Sequence, residues 1–439
     1  MHSSQSFVNW FRDSSPYIHA HRNRTFVIYF GGEAVLDASL HSLVHDFALL
    51  NSLGIRLVLV HGIRPQIDLR LQQQNRHSEF HQQLRITDDT ALQCVKESAG
   101  LVRVEIESLL SLGVANSPMS GAKVSVISGN FVTAQPIGVL GGIDYQHTGK
   151  VRRIESDAIQ QQLNAGNVVL ISPVGYSPSG ELFNLSAEQL ATEVAIALQA
   201  EKLILMTEQS CLSTATGQLI EQMTSQETQS LIEHDQQLEA STQCALQSAI
   251  YGCQSGVQRV HILNRKTDGA LLIELFSRDG CGTLISSIEF ETLRPAVLSD
   301  IPGILELIKP LQQQGLLLAR SEEHLEINIS DYIVIDRDGL IIGCSALHKI
   351  EHSSAGLIAC LAVHPDYRRS ARGNQLLEQL FIDAKNHALE QLFALSTQTM
   401  HWFKERGFQS SDFAELPSSL QQSYNHLRNA QVLKIMLEA

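Results

Sequence analysis

A chain of 439 residues, 44% hydrophobic and with a net charge of −14, is long enough for two or three packed domains and too acidic for broad contact with nucleic acid or an anionic membrane. Its longest apolar runs, Ile55–Val60 and Val168–Ile171, are strand-sized and far short of the ~20 residues a membrane-spanning helix needs. The opening MHSSQSFVNWFRDSSPY has no apolar stretch ahead of a cleavage-like site, and the seven scattered cysteines form no CxxC pair and no cluster with histidine. No secretory signal, no disulfide framework and no metal are therefore expected, and the location implied is the cytoplasm.

Residues 1–24 read as an N-terminal helical arm. Between 25 and 287, strand-like runs at Thr25–Phe30, Ile55–Val60, Val168–Ile171, Leu203–Met206 and Val260–Leu263 alternate with helical patterns such as Ala34–Leu53 and Ala187–Gln199. Continuous apolar, β-branched runs separated by helices predict an α/β fold with a mostly parallel sheet covered on both faces. Near Phe290 the pattern resets, and a second domain is expected over 293–439. It opens with a strand at Leu293–Val297 and a helix start at Ser299-Asp300, with Pro302 in the first turn and Ile304, Leu305, Leu307 and Ile308 behind it. The glutamine clusters at 72–74 and 312–314 fit solvated helix faces, and no internal repeat is found.

The clearest local chemistry lies in residues 357–381, LIACLAVHPDYRRSARGNQLLEQLF. An apolar strand ends at Val363, His364-Pro365 breaks it, and a helix opens after Gly373. The N–H groups and dipole at a helix start bind a pyrophosphate, and Arg368, Arg369 and Arg372 add positive charge. The hexapeptide Arg368-Arg369-Ser370-Ala371-Arg372-Gly373 resembles motif A of the GNAT acetyltransferases, with Ala371 where the motif has its first glycine. Leu293-Arg294-Pro295-Ala296 resembles the first strand of that superfamily. Leu392–Ser396 and the following Trp402-Phe403-Lys404-Glu405-Arg406-Gly407-Phe408 resemble its fifth strand, next helix and closing GF turn. The resemblance implies an acetyl-CoA site formed by Cys360, Leu361, Ala362 and Val363 together with Arg368, Arg369, Ser370, Ala371, Arg372, Gly373 and Asn374.

The first half carries two strand-to-glycine turns, TFVIYFGGEA at 25–34 and VLVHGIRPQID at 58–68, and the segment FNLSAEQLATEVAIALQAEKLILMTE at 183–208. These resemble the amino-acid kinase fold. Active kinases place a lysine two residues before the glycine pair to neutralise phosphoryl oxygens; that position is Tyr29. Glu188 stands for the acidic residue expected after Asn184, and the nucleotide-side segment runs on as Thr207-Glu208-Gln209. An aromatic side chain supplies no such charge, so the fold is expected without its reaction. Residues 260–283, VHILNRKTDGALLIELFSRDGCGT, resemble the arginine-binding segment of arginine-inhibited members. That implies a site in which Glu274 pairs with a guanidinium, His261, Ser277, Gly280 and Gly282 line the pocket, Lys202 faces the α-carboxylate, and Tyr17 closes over it. Taken singly, Lys202 also reads as a strand end and His261 as a satisfied core histidine.

A kinase-like domain without its lysine, followed by a GNAT domain, resembles the bacterial N-acetylglutamate synthases over nearly the whole chain. Residues 11–18 (FRDSSPYI), 64–68 (RPQID), 128–131 (SGNF) and 274–280 (ELFSRDG) carry that likeness. It implies acetyl transfer from acetyl-CoA, as co-substrate, to the α-amine of L-glutamate in arginine biosynthesis. It also implies feedback inhibition by L-arginine and a homo-oligomer, a hexamer. Leu318, Arg320 and Arg428 would bind the glutamate; the plain alternative for each arginine is an ordinary surface pair. Cys360 would form a wall of the acetyl site, and Ser396 is placed to orient the amine or a water. The proton-transfer groups depart from the family pattern. Leu357 stands where members often carry a glutamate, and Phe403 stands where many GNAT enzymes have a tyrosine acid. His348, Glu351, His352 and His401 remain as base candidates. Two other readings stay open at this level: a bifunctional synthase–kinase, and a non-catalytic arginine-binding protein with a degenerate acetyltransferase domain.

Overall fold

A computed structural model describes residues 4–81, 83–112, 119–209, 212–213, 219–234, 238–277, 280–287, 291–337, 339–368, 372–424 and 428–437. Two units arise, Met1–Ile288 and Glu289–Ala439.

The first unit begins with helix α1 (Ser4–His21), which leads into strand β1 (Thr25–Phe30). Chain order continues with α2 (Leu40–Ser52), β2 (Arg56–His61), α3 (Arg64–Gln73) and α4 (Asp89–Leu110). Next come β3 (Val126–Ile127), β4 (Val168–Ile171), α5 (Ala187–Ala197) and β5 (Lys202–Thr207). The unit closes with β6 (Gln222–Thr224), α6 (Ala240–Gln254), β7 (Arg259–Asn264), α7 (Ala270–Phe276) and β8 (Thr283–Ser286). The eight strands form one sheet in the order β6-β8-β7-β5-β1-β2-β4-β3, parallel throughout except between β7 and β8. Both faces are buried, because alternate residues of each strand point to opposite sides. Phe26, Ile28, Phe30, Leu57 and Leu59 pack with α2, α3 and α4, while Val27, Val58, Val60, Leu203 and Leu205 pack with α5 and α6. A smaller four-stranded sheet (Val132–Pro136, Gly149–Ile154, Val174–Tyr176 and Leu182–Asn184) sits in the same unit.

The helical run expected from Ala34 to Leu53 is instead a 3-10 turn at Gly32–Leu36 followed by α2. Asp37 accepts a hydrogen bond from the Ser39 N–H at 3.0 Å, a local turn that competes with helix continuation.

The second unit contains β9 (Glu291–Pro295), α8 (Ile301–Gln313), α9 (Glu322–Asn328), β10 (Tyr332–Arg337) and β11 (Leu340–Lys349). Then follow β12 (Ala355–Val363), α10 (Arg372–Asn386), β13 (Gln391–Ser396), α11 (Met400–Lys404), β14 (Gln409–Ser411) and β15 (Gln431–Met436). The sheet order is β9-β10-β11-β12-β13-β15-β14, with β12 and β13 its parallel pair. One face holds Ile333, Ile335, Leu347 and Ile358 against Leu376, Leu377 and Leu380 of α10. The other holds Tyr332, Val334, Cys344, Ala346 and Cys360 against Ile301, Ile304 and Ile308 of α8 and Leu325 of α9. The expected helix start at Ser299-Asp300 is built differently. The Asp300 carboxylate is taken by Arg294 (2.7 and 2.9 Å) and the Val297 N–H (2.8 Å), so it braces the strand before the helix rather than capping α8.

Candidate functional site

Two irregularities in the second sheet create an opening. Strands β12 and β13 pair from Ala355/Gln391 to Ile358/Ala394 and no further, although β12 continues to Val363 and β13 to Ser396. On its other edge, β12 pairs Ala362 with Cys344 and Ala359 with Ala346. Cys360 and Leu361 therefore oppose the single Ser345, which is a bulge that takes backbone groups out of the ladder. Cys360 adopts φ 55 there, an uncommon conformation for a side chain other than glycine. The slot so formed leaves strand backbone beyond Ile358 unpaired on the β13 edge; it includes Cys360–Val363, the stretch that the resemblance assigns to the acetyl-CoA site.

The turn that follows leads into α10. His364 donates its N–H to Ile342 O at 2.8 Å, and Arg368 donates Nε–H to Val363 O at 3.3 Å from an exposed position. Arg369, Ser370 and Ala371 lie outside the described residues. Arg372 is committed elsewhere than to a ligand. It holds both oxygens of Glu291 at 2.6 and 2.8 Å and Tyr367 O at 3.1 Å, with the guanidinium 5.1 Å from the Tyr367 ring centroid. Of the three arginines expected to supply charge, this one braces the turn against the first strand of the sheet. Gly373 lets the helix start approach Trp402, where an added Cβ would come within 3.1 Å of the indole. Asn374 Oδ1 accepts from Arg406 Nε at 2.7 Å.

Arg320 donates Nε–H to the Tyr332 hydroxyl at 2.8 Å, which leaves the terminal nitrogens of its fork for a carboxylate. Arg428 donates to Gly315 O at 3.2 Å and to Leu316 O, tying its loop to the segment that carries Leu318, which is exposed. Burial, and next the charge of Arg320, push the Arg428 guanidinium pKa down. Cys344 donates its thiol to Cys360 O at 3.5 Å. The Cys360 thiol pKa is lowered by its hydrogen bond with Cys344 against the effect of burial, with Arg320 and Tyr332 adding to the lowering. None of these neighbours is a base that would take the thiol proton. The Ser396 hydroxyl is bound locally, at 2.8 Å from Thr399 Oγ1 and accepting the Thr399 N–H at 2.9 Å. Phe403 is a core residue stacked edge-on against Trp402 and Phe408. Tyr332 and Cys344 escape a reading of local motifs, because cross-strand register brings them beside Ala346 and Ala362, and Asp331, in the turn before β10, because it meets His348 only through its side chain.

The first unit gathers a second site. The Glu274 carboxylate accepts from His261 Nδ1 at 2.7 Å and from the backbone N–H groups of Cys281 and Gly282 at 2.8 and 2.9 Å. Burial alone raises its pKa; these donors outweigh that and hold it at about 2. Burial, then the charge of Lys202, push His261 down, so the imidazole is neutral and accepts at Nε2 from Lys202 Nζ, 3.3 Å away. Lys202 opens β5 and is buried in this cluster, so strand end and site member are one role. Gly280, at φ 63, has no room for a Cβ, which would stand 2.5 Å from Glu274 Oε2; its N–H reaches Ser277 Oγ at 3.3 Å. Helix α1 docks beside the cluster. Ser14 Oγ donates to Phe276 O (3.0 Å), His21 Nε2 lies 2.8 Å from Leu275 O, and the Tyr17 ring centroid lies 6.3 Å from that of His21. Ser14 and His21 carry no local motif that singles them out.

The kinase-like turns line a cavity of about 150 Å³ that includes Tyr29, Glu33, Arg64, Arg85, Glu188 and Glu208. The Tyr29 hydroxyl donates to Glu188 Oε1 at 2.6 Å. Arg265 takes up Glu208 at 2.6 and 2.8 Å. Among the described residues, no three His, Cys, Asp or Glu side chains are grouped to hold a metal, and no helix is long and apolar enough to cross a membrane.

Residues 24–264 match the amino acid kinase family, and residues 328–410 match the acetyltransferase (GNAT) domain. The amino-acid acetyltransferase of Azotobacter vinelandii is 48% identical over 431 residues, spanning 98% of this chain and 99% of that one. The chain belongs to the amino-acid acetyltransferase family. The Pseudomonas aeruginosa amino-acid acetyltransferase is likewise 48% identical over 429 residues, 98% of this chain and 99% of its own. N-acetylglutamate synthase from Neisseria gonorrhoeae, solved with coenzyme A and L-arginine, is 40% identical and superposes with a TM-score of 0.90 over 99% of this chain and 100% of that one. A second structure of that synthase, with coenzyme A and N-acetyl-glutamate, is 41% identical at the same coverage, with a TM-score of 0.64. As an amino-acid acetyltransferase the chain is an enzyme of the GNAT class with acetyl-CoA as its co-substrate.

Proposed function

We propose that this amino-acid acetyltransferase moves the acetyl group of acetyl-CoA to the α-amine of L-glutamate for arginine biosynthesis, and that L-arginine inhibits it by binding at Glu274. The observation that carries the acceptor assignment is Arg320, whose Nε–H is held at 2.8 Å by the hydroxyl of Tyr332 on the sheet face that also carries Cys360, with Arg428, tied to Gly315 O and Leu316 O, as the second cation. Glutamate brings two carboxylates, and two guanidiniums would answer them. Leu318 adds backbone contact, Cys360 to Val363 line the thioester, and Arg368, with the turn 369–373 and Asn374, receives the pyrophosphate at the start of α10. In the other unit the Lys202–His261–Glu274 chain offers a charged carboxylate and a cation about where an arginine ligand has its guanidinium and α-carboxylate, with Tyr17, Ser277, Gly280 and Gly282 around it.

A kinase activity finds no support, since the hydroxyl of Tyr29 is occupied by Glu188. Assembly as a homo-oligomer, a hexamer, is supported by Trp10 and Phe11, which α1 turns to solvent at 48% and 56% exposure. A cytoplasmic location follows from the acetyl-CoA and glutamate it would consume. The test is release of free thiol from acetyl-CoA with and without glutamate and with and without arginine, from about pH 6 to 9. Thiol release that does not depend on glutamate at any pH overturns the synthase reading. Release insensitive to arginine overturns the regulatory one.

A further inference from the structure

Attack on a thioester requires a neutral amine, and an amino acid reaches the site as an ammonium ion, so a proton acceptor must face the acceptor pocket. Leu357 and Phe403 cannot take a proton, and the Ser396 hydroxyl is engaged with Thr399. Of the four remaining candidates, Glu351 and His352 stand in an exposed turn and His401 is exposed on α11. His348 is placed differently.

His348 lies on β11 opposite Leu357 of β12 and two residues from Ala346, which pairs with Tyr332 on one side and Ala359 on the other. Residues two apart on a strand share a face, so His348 stands on the face of Tyr332, whose hydroxyl holds Arg320. The imidazole and phenol rings meet edge to face with centroids 6.0 Å apart. Nδ1 lies 2.7 Å from Asp331 Oδ2. A carboxylate at that nitrogen fixes the proton on Nδ1 and leaves the Nε2 lone pair outward. The charged or titratable neighbours are Asp331 and Tyr332 on the β10 side and, on the side of α9, Arg320 and His324, whose pKa is pushed down by burial first and then by Arg320 and His348. From β12 the facing residue is the apolar Leu357.

We propose that His348, held in this tautomer by Asp331, is the general base of acetyl transfer, an assignment that rests on the synthase reading above. Nε2 takes one proton from the α-ammonium. The freed lone pair forms the N–C bond at the thioester carbonyl, and the C–S pair leaves with the coenzyme A sulfur. The nitrogen gives up a second proton, which ends on that thiolate as free coenzyme A thiol. The proton on His348 passes to solvent across its 22% exposed side chain.

The experiment measures kcat and both KM values for His348→Ala, His348→Gln, Asp331→Asn and His324→Ala across the same pH range. His348→Ala is expected to lower kcat about 100-fold or more with both KM values little changed, to flatten the acid limb of the rate profile, and to regain rate with added imidazole. His348→Gln keeps the bulk and a donor for Asp331 without a base and should be as slow, which separates proton transfer from packing. Asp331→Asn should lower kcat by less. An active wild type with His348→Gln at full rate overturns the assignment, as does a loss of the same size in His324→Ala. A wild type with no glutamate-dependent thiol overturns the synthase reading and this base with it.

Discussion

His261 Nδ1 donates to Glu274 Oε1 over 2.7 Å, and the other oxygen of the same carboxylate takes two backbone N–H groups. A carboxylate so supplied stays ionised far below neutrality, at about 2, and Oε1, with one donor, keeps capacity for a guanidinium. Glu274→Gln removes the charge and turns an NH₂ toward groups that already donate. The concentration of arginine giving half inhibition should rise about 10- to 100-fold, the loss expected for one charged hydrogen bond. Inhibition curves on purified variant and wild type read this directly.

Arg320 is oriented by Tyr332 and Arg428 by backbone carbonyls, so they differ in how they fail. Arg320→Ala should raise the KM for glutamate about 10- to 100-fold and leave the KM for acetyl-CoA in place. Tyr332→Phe removes only the hydroxyl that aims the fork, and its effect on glutamate should run the same way and be smaller. Steady-state kinetics with each substrate varied in turn decides it.

Arg368 and Arg372 stand at the same turn and should behave oppositely. Arg368, exposed and bound to one carbonyl, is free to meet the pyrophosphate; Arg368→Ala should weaken acetyl-CoA more than glutamate, and more so at low salt. Arg372, with side-chain exposure of 11% against 20% for Glu291, is a structural clamp; Arg372→Ala should cost about 1–3 kcal/mol of stability, read by thermal unfolding.

His61 is wholly enclosed, its Nε2 2.9 Å from Ser172 Oγ and its Nδ1 3.1 Å from Gly62 O. Burial, only partly offset by the Gly62 contact, pushes its pKa down from 6.5 to about 4. Below 6.5 the unfolded chain binds a proton that the folded chain refuses, so this group's contribution to stability shrinks as pH falls from 6.5 toward 4, by up to about 3 kcal/mol. His61→Asn has no such group. It should lose less stability than wild type between about pH 7 and 4.5, measured by denaturant unfolding at each pH. The raised pKa of Asp46, about 7 by burial, pulls the other way in both proteins and cancels in the difference.

The parallel strands are legible in sequence because both faces are buried: Thr25–Phe30 and Val168–Ile171 coincide with the observed β1 and β4. Short strands such as Val174–Tyr176 and Leu182–Asn184 carry too few residues for an alternating pattern, and the second sheet they join is not foreseen. Among the candidate site residues, Arg320 and Glu274 are picked out by the family resemblance of the segments that carry them. Tyr332 looks like any strand residue until register sets it beside His348 and under Arg320, and the Cys360–Leu361 bulge depends on pairing that no local stretch encodes. The contacts of the Ser396 hydroxyl with Thr399 likewise depend on the turn after β13, which the strand motif alone does not encode.

The bond from Tyr29 to Glu188 also bears on what a substitution at that position can do. The tyrosine is 8% exposed within the core around Val27, Val60 and Leu205, and its hydroxyl occupies the carboxylate. A lysine placed at position 29 would exchange a packed ring for an ammonium in an enclosed space, facing Glu188. One substitution therefore does not lead back to a phosphotransferase. The kinase-like half is a frame whose core is packed around that ring, so a change at position 29 is felt by the strands and helices on both sides of it.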